Sequence, residues 1–242
     1  TSAMAMFGFV YLWYLLAVLV IEIWLEFRPL IVRRAAAEKG LLRLFYRALT
    51  LGSTNLSPRS LEIDDRVGRF ITVVGIPSAF LLHGYVGFIF GSIKANPWWS
   101  TPLMPIVFLF SAIVSGIAAV LLIYIIYCKS QKIPIDVPCL DTMAKYLYYA
   151  FIVDFSLEML DLIHRIYVSD ESFQSLDFMV KTRLWGSHVL LQIFIGTLVP
   201  LTLLGLTQVR KITIAVRQRM YVLAAALTMV GIFAMRWNVV IG

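Results

Sequence analysis

Residues 103–127 read LMPIVFLFSAIVSGIAAVLLIYIIY, a stretch without one charged side chain. As an α-helix rising about 1.5 Å per residue, it is long enough to cross roughly 30 Å of hydrocarbon. Inside lipid, backbone N–H and C=O groups must be satisfied within the segment, which selects a helix. Apolar runs of the same kind recur at about 6–27, 68–92, 142–166, 184–207 and 217–241. The composition agrees. Of 242 residues, 60% are hydrophobic and 14% charged, more apolar surface than a soluble domain can bury. The expectation is an all-α, polytopic transmembrane helical bundle with about six spans. It forms a single membrane domain over 1–242, with an interfacial or cytoplasmic connection at about 28–67.

Within that connection, 31–51 has a different pattern. Leu41, Leu44, Phe45 and Ala48 share one helical face, while Arg43 and Arg47 occupy another. The pattern suits a helix lying in the membrane interface. An ordinary solvated loop helix fits the same residues.

The net charge of +7 does not point to nucleic acid, because the basic residues lie beside the spans. The connection after the first span carries Arg28, Arg33, Arg34, Lys39, Arg43, Arg47, Arg59, Arg66 and Arg69. The connection after the third carries Lys129, Lys132 and Lys145, and that after the fifth Arg210, Lys211, Arg217 and Arg219. The other side has only Lys94, Arg165, Lys181, Arg183 and Arg236. Basic loops stay in the cytoplasm, so both ends of the sequence face outward from a multi-pass protein of the cytoplasmic membrane. Cys128 and Cys139 lack metal-ligand spacing and fall on the cytoplasmic side, so neither a metal site nor a disulfide is expected. The sequence does not begin with Met, has no signal peptide and stops abruptly at RWNVVIG. It is expected to be the C-terminal portion of a longer protein.

The topology places KANPWWSTPLMP, residues 94–105, on the outer face. Trp98 and Trp99 suit an interfacial aromatic belt. Pro97 stiffens the turn and Pro102 can start the next helix.

Ionisable groups within spans are costly and mark functional sites. The fourth span contains VDFSLEMLDLIHR, in which Asp154, Glu158 and Asp161 share one helix face, with Arg165 continuing it and His164 close by. His83 lies in the second span, His188 and Gln192 one turn apart in the fifth, and Arg236 in the last. Counting helical rise from the outer ends places His83, Asp161, His164, His188 and Arg236 in the outer half of the bilayer. Such a set suits a lipid-soluble hydrogen carrier, a quinone, which exchanges protons together with electrons. Asp154 and Glu158 are candidates for a proton path. Glu22, near the inner end of the first span, is either a cytoplasmic port or a side chain snorkelling to the interface. A packing interpretation stands beside these assignments: Arg165 or Arg236 neutralises the acids as buried ion pairs, and the histidines only fill space. Ser111, Ser115 and Gly116 are read as small residues for close helix packing.

HGYVGFIFGSIKANPWWSTPLMPIVFLFSAIVSG resembles the signature of the NrfD/PsrC family, the membrane subunits of polysulfide-reductase-type complexes. The tail AMRWNVVIG is similar to that family's last-helix motif. The longer-loop branch, which includes the DsrP subunits, is nearest. The resemblance implies a membrane-integral, quinone-reactive subunit of a multi-subunit oxidoreductase. Such a subunit exchanges electrons between the menaquinone or related quinone pool and an extracytoplasmic iron–sulfur subunit docked on it. It implies a chain without haem or metal, not catalytic alone, assembled with other membrane subunits in a respiratory chain. It also gives Trp98 and Trp99 a second role, in a docking surface or a lid over the quinone headgroup. Relatives have eight to ten helices against six here, so part of the pocket is expected to lie before residue 1. Other functions fit some of the same residues: a proton or ion conductor using the acidic stripe, a haem protein with His83 and His188 as axial ligands, and a structural anchor.

Overall fold

The computed structural model describes residues 2–93, 99–168 and 171–240. Among them every regular element is a helix and there is no strand. α1 spans Ala3–Ala37, with Trp13–Val20 wound as π-helix. α2 spans Gly40–Leu49, α3 Pro58–Gly91, α4 Met104–Gln131, α5 Val137–Val168 and α6 Glu171–Thr182. α7 spans Trp185–Val209, its first part, Trp185–Leu198, again π-helix, and α8 spans Ile214–Val240. Each expected span corresponds to one helix. α1, α3, α4, α7 and α8 are long and apolar enough to cross a membrane. α5 is 32 residues long but carries Asp141, Lys145, Asp154, Glu158, Asp161 and Arg165 along its length.

The chain divides into two compact units, Thr1–Tyr85 and Val86–Gly242. In the first unit, α1 runs on past its apolar part to Ala37, and α2 follows a break at which Gly40 takes φ +65°. A left-handed φ of this kind favours glycine, which has no Cβ to clash. The apolar side chains of α2, Leu41, Leu44 and Phe45, are exposed. α1 is tied to its neighbours by polar bonds: the Trp24 indole N–H donates to the Leu49 carbonyl oxygen (2.8 Å) and the Trp13 indole N–H to Ser78 Oγ (3.3 Å).

Arg28, counted from the sequence among the basic residues of the connection after the first span, is 1% exposed. Its guanidinium donates to Asp64 Oδ2 (Nε, 2.7 Å), Ser53 Oγ (2.8 Å), the Asn55 carbonyl oxygen (3.0 Å) and Ser60 Oγ (2.9 Å). Positive-inside counting treats every flanking basic residue alike. Here the connection at 53–57 and the first turns of α3 supply enough acceptors to take one of them inward.

In the second unit, α4, α5, α7 and α8 form a ring in which each helix packs on two others: α4 on α5, α5 on α7, α7 on α8 and α8 on α4. One half of the ring is close-packed. Val114, Ala118, Leu121 and Ile125 of α4 meet Leu140, Ala144, Leu147 and Phe151 of α5, with Leu204 of α7 and Tyr221, Ala224 and Ala225 of α8. The ring is tightest between α7 and α8. A Cβ built on Gly196 stands 2.2 Å from Gly231 Cα, so only glycine lets these backbones meet. Gly87 and Gly91 of the HGYVGFIFG motif have the same use. Their Cβ positions fall 2.5 Å from the Met104 carbonyl oxygen and 2.7 Å from that of Thr101. The end of α3 therefore lies directly on the start of α4.

Candidate functional site

At the other end of the ring the packing opens. The start of α4, the last turns of α5, the start of α7 and the end of α8, with part of α6, surround a cavity of about 360 Å³. Apolar walls come from Met104, Val107, Met159, Leu162, Ile166, Ile193, Met235 and Val239. Thr101, Glu158, Asp161, Arg165, Asp177, His188 and Gln192 supply polar groups.

Asp161 is clamped on both oxygens. Thr101 Oγ1 donates to Oδ1, and Arg165 Nε, one turn along α5, donates to Oδ2 (2.8 Å). Thr101 is itself buried and its hydroxyl accepts from the Leu103 backbone N–H (3.2 Å). Asp161 and Arg165 thus form a fixed charge pair on the wall, with side chains 18% and 13% exposed.

A second network joins α7 and α8. His188 Nδ1 lies 2.9 Å from Gln192 Oε1, and Asn238 Nδ2 of α8 donates to the same oxygen (3.2 Å). Thr197 Oγ1 donates to the Gln192 carbonyl oxygen (3.0 Å), five residues back along the π-helix. Glu158 of α5 lines the same cavity as Gln192. The wider π turn brings His188 and Gln192 together on the cavity side, and π segments of this kind recur at functional sites.

Asp154 and Arg236 lie outside the cavity lining. Asp154 is 3% exposed, and its Oδ1 has no hydrogen-bond partner among the described residues. It is within electrostatic reach of Glu158 and Arg236. Arg236 reaches Ser111 Oγ through Nη2 (3.4 Å) and stands over the Phe108 ring at 5.8 Å, while its Nε has no partner among the described residues. Ser111, read from the sequence as packing alone, is therefore also a polar contact.

Of the residues proposed from sequence, Glu158, Asp161 and His188 line one cavity, with Asp154 and Arg236 in a layer behind it. His164, on the same helix, is exposed and not part of the lining. His83 belongs to the first unit, where Nδ1–H donates to the Ala79 carbonyl oxygen (2.9 Å). Glu22, in the same unit, accepts from Thr72 Oγ1 (2.6 Å). Trp98 lies outside the described residues. Trp99 is held inward: its indole N–H donates to the Val239 carbonyl oxygen, and its ring packs edge-on against Phe90 at 5.0 Å. Thr101 and Asn238 were missed by the sequence, since a neutral polar residue at a helix end carries no signal of its own. Among the described residues no group of three or more His, Cys, Asp or Glu is placed to hold a metal ion, and both cysteines are free thiols.

Residues 1–242 match the family described as "Polysulphide reductase, NrfD". The chain is similar to a selenate reductase subunit of Mesobacillus selenatarsenatis, 39% identical over 127 residues, which are 50% of this chain and 30% of that protein. It is similar to protein NrfD of Escherichia coli, 32% identical over 94 residues, 39% of this chain and 29% of that protein. The matched stretches span under a third of either relative's length. With a family match over its whole length and five helices long and apolar enough to cross a membrane, the chain belongs to the polysulphide reductase NrfD family of membrane proteins.

Proposed function

We propose that the chain is a quinone-reactive subunit of a reductase complex in the cytoplasmic membrane. In this role it exchanges electrons between a menaquinone-like pool and an iron–sulfur subunit docked on the extracytoplasmic face. The observation that carries the proposal is the cavity shared by Glu158, Asp161, Arg165, His188 and Gln192 at one end of a ring whose other half is close-packed. Its volume of about 360 Å³ falls in the range of small-ligand pockets. Its apolar walls with a few convergent polar groups suit a flat headgroup bearing two oxygens. Bound there, a quinone would supply two-electron, two-proton chemistry. The chain's own residues divide the remaining work. The Asp161–Arg165 pair offers a fixed dipole that orients a polar oxygen. His188 and Glu158, which both titrate, hold or release protons at the imidazole nitrogens and the carboxyl oxygens. Asp154, within electrostatic reach of Glu158, is the inner end of that proton path. Names of the relatives support the setting, since one is a selenate reductase subunit.

The test is quinol-dependent turnover of the whole complex in proteoliposomes. Glu158→Gln and His188→Leu should each lower turnover at least about tenfold while the subunit still assembles. Wild-type turnover by both variants would leave only the structural-anchor interpretation.

A further inference from the structure

Thr101 lies in the turn before α4, and that turn is held from several helices. The Thr101 backbone N–H donates to the Trp99 carbonyl oxygen (2.7 Å), and the Thr101 carbonyl oxygen accepts from the Met104 N–H (3.3 Å). The same carbonyl oxygen lies against Gly91 at the end of α3, where a Cβ would stand 2.7 Å away. Trp99 is bonded to the Val239 carbonyl oxygen of α8 and packed on Phe90 of α3. From this fixed base the Thr101 hydroxyl reaches across to α5. A hydroxyl has one proton to give. Its oxygen accepts from the Leu103 N–H (3.2 Å), and its proton goes to Asp161 Oδ1. Asp161 Oδ2 accepts from Arg165 Nε (2.8 Å). A carboxyl group is planar, so fixing Oδ1 also fixes where Oδ2 meets the guanidinium. Ion pairs at i, i+4 are by themselves weak and adaptable. Arg66–Glu62 and Arg69–Asp65 on α3 have that spacing and lie in the open. Asp161 differs in that a side chain from another part of the chain holds its second oxygen.

We propose that Thr101 is a positioning residue, which through Asp161 sets the angle at which Arg165 receives an oxygen of the bound headgroup. The proposal rests on the quinone site described above. Thr101, Asp161 and Arg165 all line the cavity. The Thr101 proton is spent on Asp161, so none is left for a ligand, and the effect of Thr101 runs through the ion pair. Asp161 thereby serves as the anchor of Arg165, and the proton work stays with Glu158 and His188. A bond that merely latched the turn onto α5 would behave differently. Its loss would lower stability and the yield of assembled complex, and would leave substrate binding by the assembled fraction unchanged.

The experiment compares Thr101→Val and Thr101→Ser in the whole complex. Valine keeps the shape and loses the hydroxyl, whereas serine keeps the hydroxyl. In proteoliposomes with varied quinol, Thr101→Val should raise KM at least about fivefold, the worth of one ordinary hydrogen bond. Its kcat should change little, the pattern of binding lost equally from ground and transition states. Thr101→Ser should restore the wild-type KM. A second measurement needs no quinone. In complex labelled with nitrogen-15 arginine, the Arg165 Nε–H signal is assigned by its loss in Arg165→Lys. It should exchange slowly with water in the wild type and in Thr101→Ser, and faster in Thr101→Val. If Thr101→Val does not assemble, Thr101→Cys, whose thiol is a weak donor, is measured in the same two ways. An assembled valine variant with wild-type KM, or with wild-type Arg165 exchange, overturns the proposal, as does a serine variant that behaves like valine. Binding of a quinone analogue to the wild-type complex separates this failure from that of the quinone site. If no analogue binds, the quinone site fails, and the exchange difference alone decides whether Thr101 positions Arg165.

Discussion

A buried arginine and a half-buried one show what separates a charge that holds a fold from one kept for other use. Arg28 in the first unit and Arg236 in the second both lie in helices beside a carboxylate. Arg28 spends its guanidinium on Asp64, Ser53, Ser60 and the Asn55 carbonyl oxygen, and its buried donors are matched. Around Arg236 the matching is incomplete: its Nε, Asp154 Oδ1 and Asn238 Oδ1 are buried without partners among the described residues. Removing a charge from water costs several kcal/mol, recovered only when geometry and further hydrogen bonds are good. The first cluster meets that condition and acts as a rivet. The second does not, and it adjoins a cavity where unspent hydrogen-bonding capacity can be used.

Stability measurements sharpen the contrast. Arg28→Leu strands Asp64 and should cost about 3–5 kcal/mol, read as a lowered unfolding midpoint in detergent; a near-native midpoint would dissolve the distinction. Gly231→Ala tests packing without charge. Its Cβ would stand 2.5 Å from Gly196 Cα, so a loss of about 1–3 kcal/mol is expected. Asp154→Asn should change stability least, by under about 1 kcal/mol in either direction, because the carboxylate has little to lose. The same variant should nonetheless impair quinol turnover. A large destabilisation with normal turnover would make Asp154 a second rivet.

Five of the six expected spans were readable because apolar runs of that length are dictated by the bilayer, while the remaining segment is a helix whose charges keep it out of that class. Glu158, Asp161 and His188 were readable for the converse reason, since an ionisable group in a span stands out against its surroundings. Thr101 and Asn238 did not stand out: neutral polar residues are common in membrane helices, and only their partners reveal them. The Thr101 hydroxyl matters because Asp161 lies opposite, 60 positions away in the chain. The burial of Arg28 was not legible, because a charge count carries no information about acceptors later in the chain. The π winding of Trp185–Leu198 left no local trace either, as its residues would suit an ordinary helix equally well.

The apolar plug formed by Ala118, Leu121, Leu140, Ala144, Leu147, Leu204 and Ala225 has an electrical consequence. A charge taken through this ring would have to cross a layer in which these apolar side chains offer no ionisable stepping stone, and ion conduction needs polar groups throughout the thickness. On the function proposed above, protons admitted at the open end leave by the same mouth, and turnover routed through this ring alone is electrically silent. A voltage-sensitive dye trapped in proteoliposomes should stay dark while quinol is consumed.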